Sequence, residues 1–383
     1  MIRMIFWLAA FLLLAGCGTK TVRTASFSVD TTNYAKVPVS YAAGFKIQRK
    51  GGNRIITVRN PWQNAENIEY TYFLSDTVTT SKAQSDNRWI IKTPVKRAVC
   101  LSTTHIGLID FIGKTSSIAG ISGSKYVVNP SLIARIERGD LPDVGFDENL
   151  NFELLLKIKP DVVFTYGVSG TITNTISKLN ELGIPCVMIA EYLEEEPLAK
   201  MEWVKVFASF YQCADSAEHI FDSVAFRYNQ LCSLAREVKT KPTVLMGLPW
   251  RGTWYVSGGK SYVARLVADA GGTYLWENLD FKDSRPVALE KVFEKARDAA
   301  YWLNPGDAKT INDISSVDQR FNKVSSLLNR RVFNNNNILG AGGGNAFFEN
   351  GVTEPDVILS DIIYILHPQL LPSHKLQYYQ KLE

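Results

Sequence analysis

The chain has 383 residues, enough for two domains with separate cores. Its composition, 46% hydrophobic and 21% charged, is that of an ordinary globular protein. The formal net charge of +4 is small for this length and the Lys and Arg residues are scattered, so nucleic acid is not an expected partner.

The first twenty residues, "MIRMIFWLAAFLLLAGCGTK", read as an export signal. Arg3 supplies the positive end, the stretch from Ile5 to Leu14 is apolar, and Ala15 and Gly16 are the small residues that precede a cleavage site. Leu14-Ala15-Gly16-Cys17 resembles the bacterial lipobox, in which the cysteine sulfur takes a diacylglyceryl group. Residues 1–16 are therefore expected to be a signal peptide, with membrane attachment through lipid on Cys17 and the chain in the cell envelope, facing the periplasm. No later apolar run approaches the roughly 20 residues that cross a bilayer. Residues 17–38, rich in Thr, Ser and Lys without a helical or strand period, read as a tether.

The alternating stretches "FKIQR", "RIITVRN" and "IEYTYFL" follow, punctuated by Gly51-Gly52-Asn53 and Asn60-Pro61. They predict a β-meander. The pattern then changes. "RAVCLS", "DVVFTYG" and "PCVMIA" are short apolar runs suited to strands buried on both faces, and "HIGLIDFIG" and "TITNTISKLNELG" between them have helical character. Strands alternating with helices imply a mainly parallel sheet. "PTVLMGL", "SYVARLVADAGG" and "AAYWLNP" repeat the arrangement after residue 240. The predicted class is α/β: two Rossmann-like lobes, residues 39–192 with a β-rich extension and residues 239–383, with a helical connection over 193–238.

That connection carries a long amphipathic helix. Over residues 214–238, Ala217, Ile220, Phe221, Val224, Tyr228, Leu231, Ala235 and Val238 recur at three and four without Gly or Pro. At 1.5 Å per residue it would be about 37 Å long, a rigid strut that limits hinge closure. Cys100, Cys186, Cys213 and Cys232 sit in apolar segments without C-x-x-C spacing and are expected to be buried free thiols.

Chemistry is harder to place. The four histidines form no spaced metal pair, no G-x-S-x-G or Walker A sequence occurs, and "GGGN" lacks the P-loop lysine. No nucleophile and base stand out, and no resident cofactor is expected. Aromatic residues in loops are the stronger signal: "LPWRGTWYVSGGKS" places Trp250, Trp254 and Tyr255 after a predicted strand, and "ISGSKYVVNP", "TYGVSG" and "GGGNAFFENG" add Tyr126, Tyr166, Phe347 and Phe348. Aromatics flanked by Gly, Ser and Asn suit a cleft for a large flat or rigid ligand, with Arg251 and Arg285 available for an anionic group.

From about residue 90 onward the chain resembles the substrate-binding lipoproteins of ABC importers for ferric siderophores, haem and cobalamin. The resemblance rests on "KRAVCLSTTHIGLIDFIG", "LPDVGFDENLNFELLLKIKPDVVFTYG", "YVSGGKSYVARLVADAGGTYLWEN" and "GGGNAFFENGVTEPDVILSDIIYILHPQLL". It implies a monomer that binds an iron complex or cobalamin-like ligand between two lobes and passes it to a permease dimer served by ATPase subunits. Carried over by position, cleft residues fall at Tyr126 and Phe146 in the first lobe, and near Trp254, Arg285 and the loop from Asn345 to Phe348 in the second. Thr104 and His105 of "STTH" occupy a first-lobe cleft loop, with His105 a candidate haem-iron ligand. One exposed glutamate on each lobe, Glu153 and Glu290, matches the positions that pair with permease arginines. Alternatives are an exported α/β hydrolase, for which the residues supply no catalytic pair, and a surface capture lipoprotein without a permease.

Overall fold

The computed structural model describes residues 33–77, 81–82, 88–146 and 149–383. The expected signal peptide, the lipidation position Cys17 and most of the expected tether lie outside the described residues. Among those described, no helix is long and apolar enough to cross a membrane.

Two parallel sheets organise the molecule, which is α/β as the sequence pattern predicts. The first has the order Cys186–Met188, Val162–Thr165, Ala98–Cys100, Ile118–Ile121, with every pairing parallel. Val162, Val163 and Phe164 are fully buried because helices cover both faces, which is why the strand reads as a continuous apolar run. The second sheet has the order Thr273–Tyr274, Thr243–Met246, Tyr301–Leu303, Val332–Asn334, Gln380–Lys381, parallel except for the last strand.

The segment predicted as a meander forms three antiparallel strands, Phe45–Lys50, Asn53–Arg59 and Glu69–Ser75, inside a six-stranded sheet. The sheet departs from a simple meander in one place: Arg88–Lys92 pairs parallel with Glu69–Ser75. Its edge strand Ala35–Lys36 pairs with Gln48 and Arg49, within the stretch read as a tether.

The connecting helix spans Ala214–Arg236. At 23 residues it is about 35 Å long, and Ala217, Phe221, Val224, Tyr228, Cys232 and Ala235 form its buried face. Ile220, placed on the apolar face by periodicity, is exposed. Arg227 on the solvent side pairs with the buried Asp356 at 2.6 Å, fixing the strut to the helix Pro355–Leu366. All four described cysteines are unbonded thiols; Cys100, Cys186 and Cys232 are buried and Cys213 half-buried.

Candidate functional site

Between the lobes lies a cleft of about 1100 Å³. Its walls are the segments that leave the carboxyl ends of the parallel strands, where an open α/β sheet presents ligands. In the first lobe Thr104 follows Ala98–Cys100, Tyr166 follows Val162–Thr165, and Glu191 and Tyr192 follow Cys186–Met188. In the second, Asn304 follows Tyr301–Leu303, and Asn335 and Asn336 follow Val332–Asn334.

Aromatic rings occupy part of the rim. Tyr126 and Phe146 meet edge to face with centroids 6.4 Å apart, and the Lys125 ammonium lies 4.7 Å from the Tyr126 centroid. Both loops are anchored by Asp143, whose carboxylate accepts the N–H groups of Gly123, Ser124 and Gly145. Burial works against that charge, but the donors together hold the carboxyl below its ordinary pKa. From the second lobe, Phe347 and Phe348 stand with centroids 5.3 Å apart at the start of the helix Ala346–Glu349, which Asn345 caps by accepting the Phe347 N–H at 2.9 Å.

The base is charged, and its first-lobe part is largely buried. Glu191 is only 3% exposed; its Oε1 accepts the Thr104 hydroxyl at 2.6 Å, and its Oε2 has no hydrogen-bond partner among the described residues. Lys200, from the helix Pro197–Glu202, holds its ammonium 4.1 Å from the Tyr262 ring centroid. Burial lowers the Lys200 pKa, opposed by the charges of Glu191 and Glu194. Tyr192 donates to the Gly167 carbonyl at 2.6 Å, and burial pushes its own hydroxyl up to about 12. Two acids, Glu191 and Asp307, and two lysines, Lys200 and Lys309, line the cleft, and no arginine does among the described residues.

The family model described as periplasmic binding protein matches residues 99–334, which contain both parallel sheets except Ala98 and the edge strand Gln380–Lys381. The chain belongs to that family. A lipoprotein of Methanocaldococcus jannaschii is 29% identical over 77% of this chain and 71% of its own length. Among solved structures, a periplasmic haem-binding protein of Pseudomonas aeruginosa superposes with a TM-score of 0.57 at 14% identity, covering 76% of this chain and 98% of that one. A molybdate periplasmic binding protein of Haemophilus influenzae gives 0.57 at 18% identity, covering 76% and 92%. At these identities the two structures establish the fold alone.

In this periplasmic binding protein the residues expected at the cleft divide into two groups. Thr104, Tyr126, Phe146, Tyr166, Asn345, Phe347 and Phe348 line it together. Five others do not. His105 is fully buried against Phe207 and Tyr166, and neither ring nitrogen has a hydrogen-bond partner among the described residues. Burial pushes its pKa down to about 4, with Glu191 opposing. An imidazole enclosed this way is not presented to a haem iron. Trp254 is also fully buried, in the second-lobe core against Trp302 and Phe321. The stretch after the strand Thr243–Met246 turns back into a separate two-stranded ribbon, Trp254–Ser257 with Ser284–Val287, which explains the error. That ribbon carries Arg285 away from the cleft, paired with Asp283 at 3.1 Å and resting 4.2 Å from the Phe281 centroid. Trp250, 61% exposed, and Arg251, stacked 4.4 Å from its centroid, occupy the turn before the ribbon.

Glu191, Lys200, Tyr192, Tyr262 and the asparagines after the second-lobe strands were not anticipated. The signal available was positional: each first-lobe or second-lobe member of the set except Lys200 and Tyr262 directly follows a strand of a parallel sheet. Aromatic content drew attention instead to Trp250 and Trp254.

Proposed function

We propose that this periplasmic binding protein is the solute-capturing component of an ABC importer, and that its cargo is a large metal chelate, a ferric siderophore or haem. The observation that carries this reading is the cleft itself: about 1100 Å³, with aromatic rings at the rim and balanced charge at the base. Small-molecule pockets commonly span about 300–1,000 Å³, so a small oxyanion would leave most of this one unfilled. Cobalamin is a second reading, favoured by the equal numbers of acids and lysines along the cleft, which suit a ligand of low net charge.

Two surface glutamates support the delivery part of this reading. Glu153 is exposed on the first turn of the helix Phe152–Ile158, and Glu290 on the first turn of Leu289–Ala296, where Arg320 lies 3.6 Å away. In this reading they dock the two lobes onto a permease dimer driven by ATPase subunits, with the monomeric protein held at the membrane by lipid on Cys17. It binds without chemistry.

Calorimetric titration of the chain from Gly18 onward with ferrioxamine B, haem and cyanocobalamin tests the cargo. Saturation at one ligand per chain supports it, and absence of binding to all three overturns it. Reversing the charge at Glu153 and Glu290 together tests delivery: uptake should stop while affinity persists, and normal uptake would remove the docking role.

A further inference from the structure

We propose that Glu191 and Lys200 form a carboxamide-binding subsite at the base of the cleft. A ligand amide would place its carbonyl oxygen on the Lys200 ammonium and its N–H on Glu191 Oε2. The inference deepens the chelate reading and rests on it for the identity of the cargo, though not for the chemistry of the subsite.

Two independent observations lead here. Glu191 is 3% exposed, lines the cavity, and keeps Oε2 without a partner although Thr104 satisfies Oε1. A buried acceptor left unpaired is unfavourable, so a donor is expected there when the cleft is filled. Lys200 lines the same cavity with its ammonium against the Tyr262 ring, a contact that leaves its N–H groups available to an acceptor.

Charge then selects the partner. A ligand carboxylate would suit Lys200 but meet the Glu191 oxygen; a ligand ammonium would suit Glu191 but meet Lys200. A neutral group that offers an acceptor and a donor on separate atoms satisfies both, and a secondary amide does so in one rigid plane. Glu191 stands on the turn Glu191–Leu193 and Lys200 on the helix Pro197–Glu202, so the two groups reach the cavity from different elements. The Thr104 hydroxyl, itself 2.8 Å from the Ser102 hydroxyl, fixes the Glu191 carboxylate in this orientation.

Crystals of the chain from Gly18 onward, soaked separately in N-methylacetamide, acetate and ethanol, test the subsite without reference to the cargo. The expected result is N-methylacetamide bound with its oxygen on Lys200 and its nitrogen on Glu191, with neither acetate nor ethanol there. No amide at Glu191, or acetate or ethanol in the same place, overturns it. Calorimetry then tests its use: Glu191→Gln and Lys200→Met should each weaken ferrioxamine B or cyanocobalamin binding at least tenfold, and unchanged affinity overturns a role in cargo binding. Bound amide with no chelate binding would discard the chelate reading and keep the subsite. Chelate binding with no bound amide would do the reverse.

Discussion

Glu349 Oε1 lies 2.7 Å from the backbone nitrogen of Asn129, and Oε2 lies 2.8 Å from that of Val128, so one second-lobe carboxylate accepts two first-lobe N–H groups. Glu349 is 1% exposed. The bond joins residues 220 apart in sequence and closes the end of the cleft where the helix Ala346–Glu349 meets the first lobe.

Burial raises the Glu349 pKa from 4.5 to about 7, although both N–H donors favour the charge. A carboxyl raised in the folded state favours folding when protonated: its contribution is complete below the unfolded-state value and is lost as pH rises through about 7. The shift corresponds to about 3 kcal/mol. Denaturant unfolding from about pH 5 to about pH 8 should show stability falling more steeply with pH for the wild type than for Glu349→Gln. Parallel curves would remove Glu349 as the source.

The same interface leaves no space for side chains at three glycines, Gly107, Gly342 and Gly344. A Cβ at Gly107 would overlap the Glu349 carbonyl, and one at Gly344 would overlap that of Tyr126. Gly107→Ala and Gly344→Ala should each cost about 1–3 kcal/mol or separate the lobes. Small-angle scattering and unfolding measurements read the two outcomes; a variant with wild-type stability and dimensions would contradict the contact.

The N-terminal extension is tied down by a buried carboxylate. Glu202 accepts the N–H groups of Ser40, Tyr41 and Ala42 at 2.9, 2.8 and 2.9 Å and pairs with Lys205 at 2.9 Å. Lys205 also donates to the Pro38 carbonyl at 3.2 Å. Glu202→Ala leaves a buried ammonium and three N–H groups without this acceptor, at a cost of about 3–5 kcal/mol. Limited proteolysis should then cut near residues 38–44 first, and an unaltered cleavage pattern would argue against the clamp.

Trp254 and Trp250 separate core from surface. Trp254→Ala should cost about 3–5 kcal/mol, since it empties a fully buried site between Trp302 and Phe321. Trp250→Ala should stay within about 0.5 kcal/mol. Neither ring lines the cleft, so a tenfold loss of chelate affinity in Trp250→Ala would relocate the binding site.

The α/β class, the two lobes and the long connecting helix were legible because each rests on local periodicity. Doubly buried strands such as Val162–Thr165 are continuous apolar runs, and the buried face of Ala214–Arg236 recurs at three and four. The parallel pairing of Arg88–Lys92 with Glu69–Ser75 was not legible, because pairing partners are chosen by packing between segments rather than within them. Of the first-lobe aromatics, Tyr126 is legible in its Gly- and Ser-containing loop, whereas Phe146 enters only through the resemblance to the family. Trp254 has the same composition around it, yet its strand turns into a ribbon and its ring fills the core.

By itself the sequence determined which segments form strands and helices and which loops leave the strand ends, since those depend on burial period and capping within a few residues. Only the tertiary structure decided which side chains share the cleft. Glu191 and Lys200 belong to segments whose composition marks neither as a binding residue, and Glu349 finds Asn129 across 220 residues. Such meetings depend on how the lobes pack, because the free energy that sets them is the burial of surfaces contributed by both.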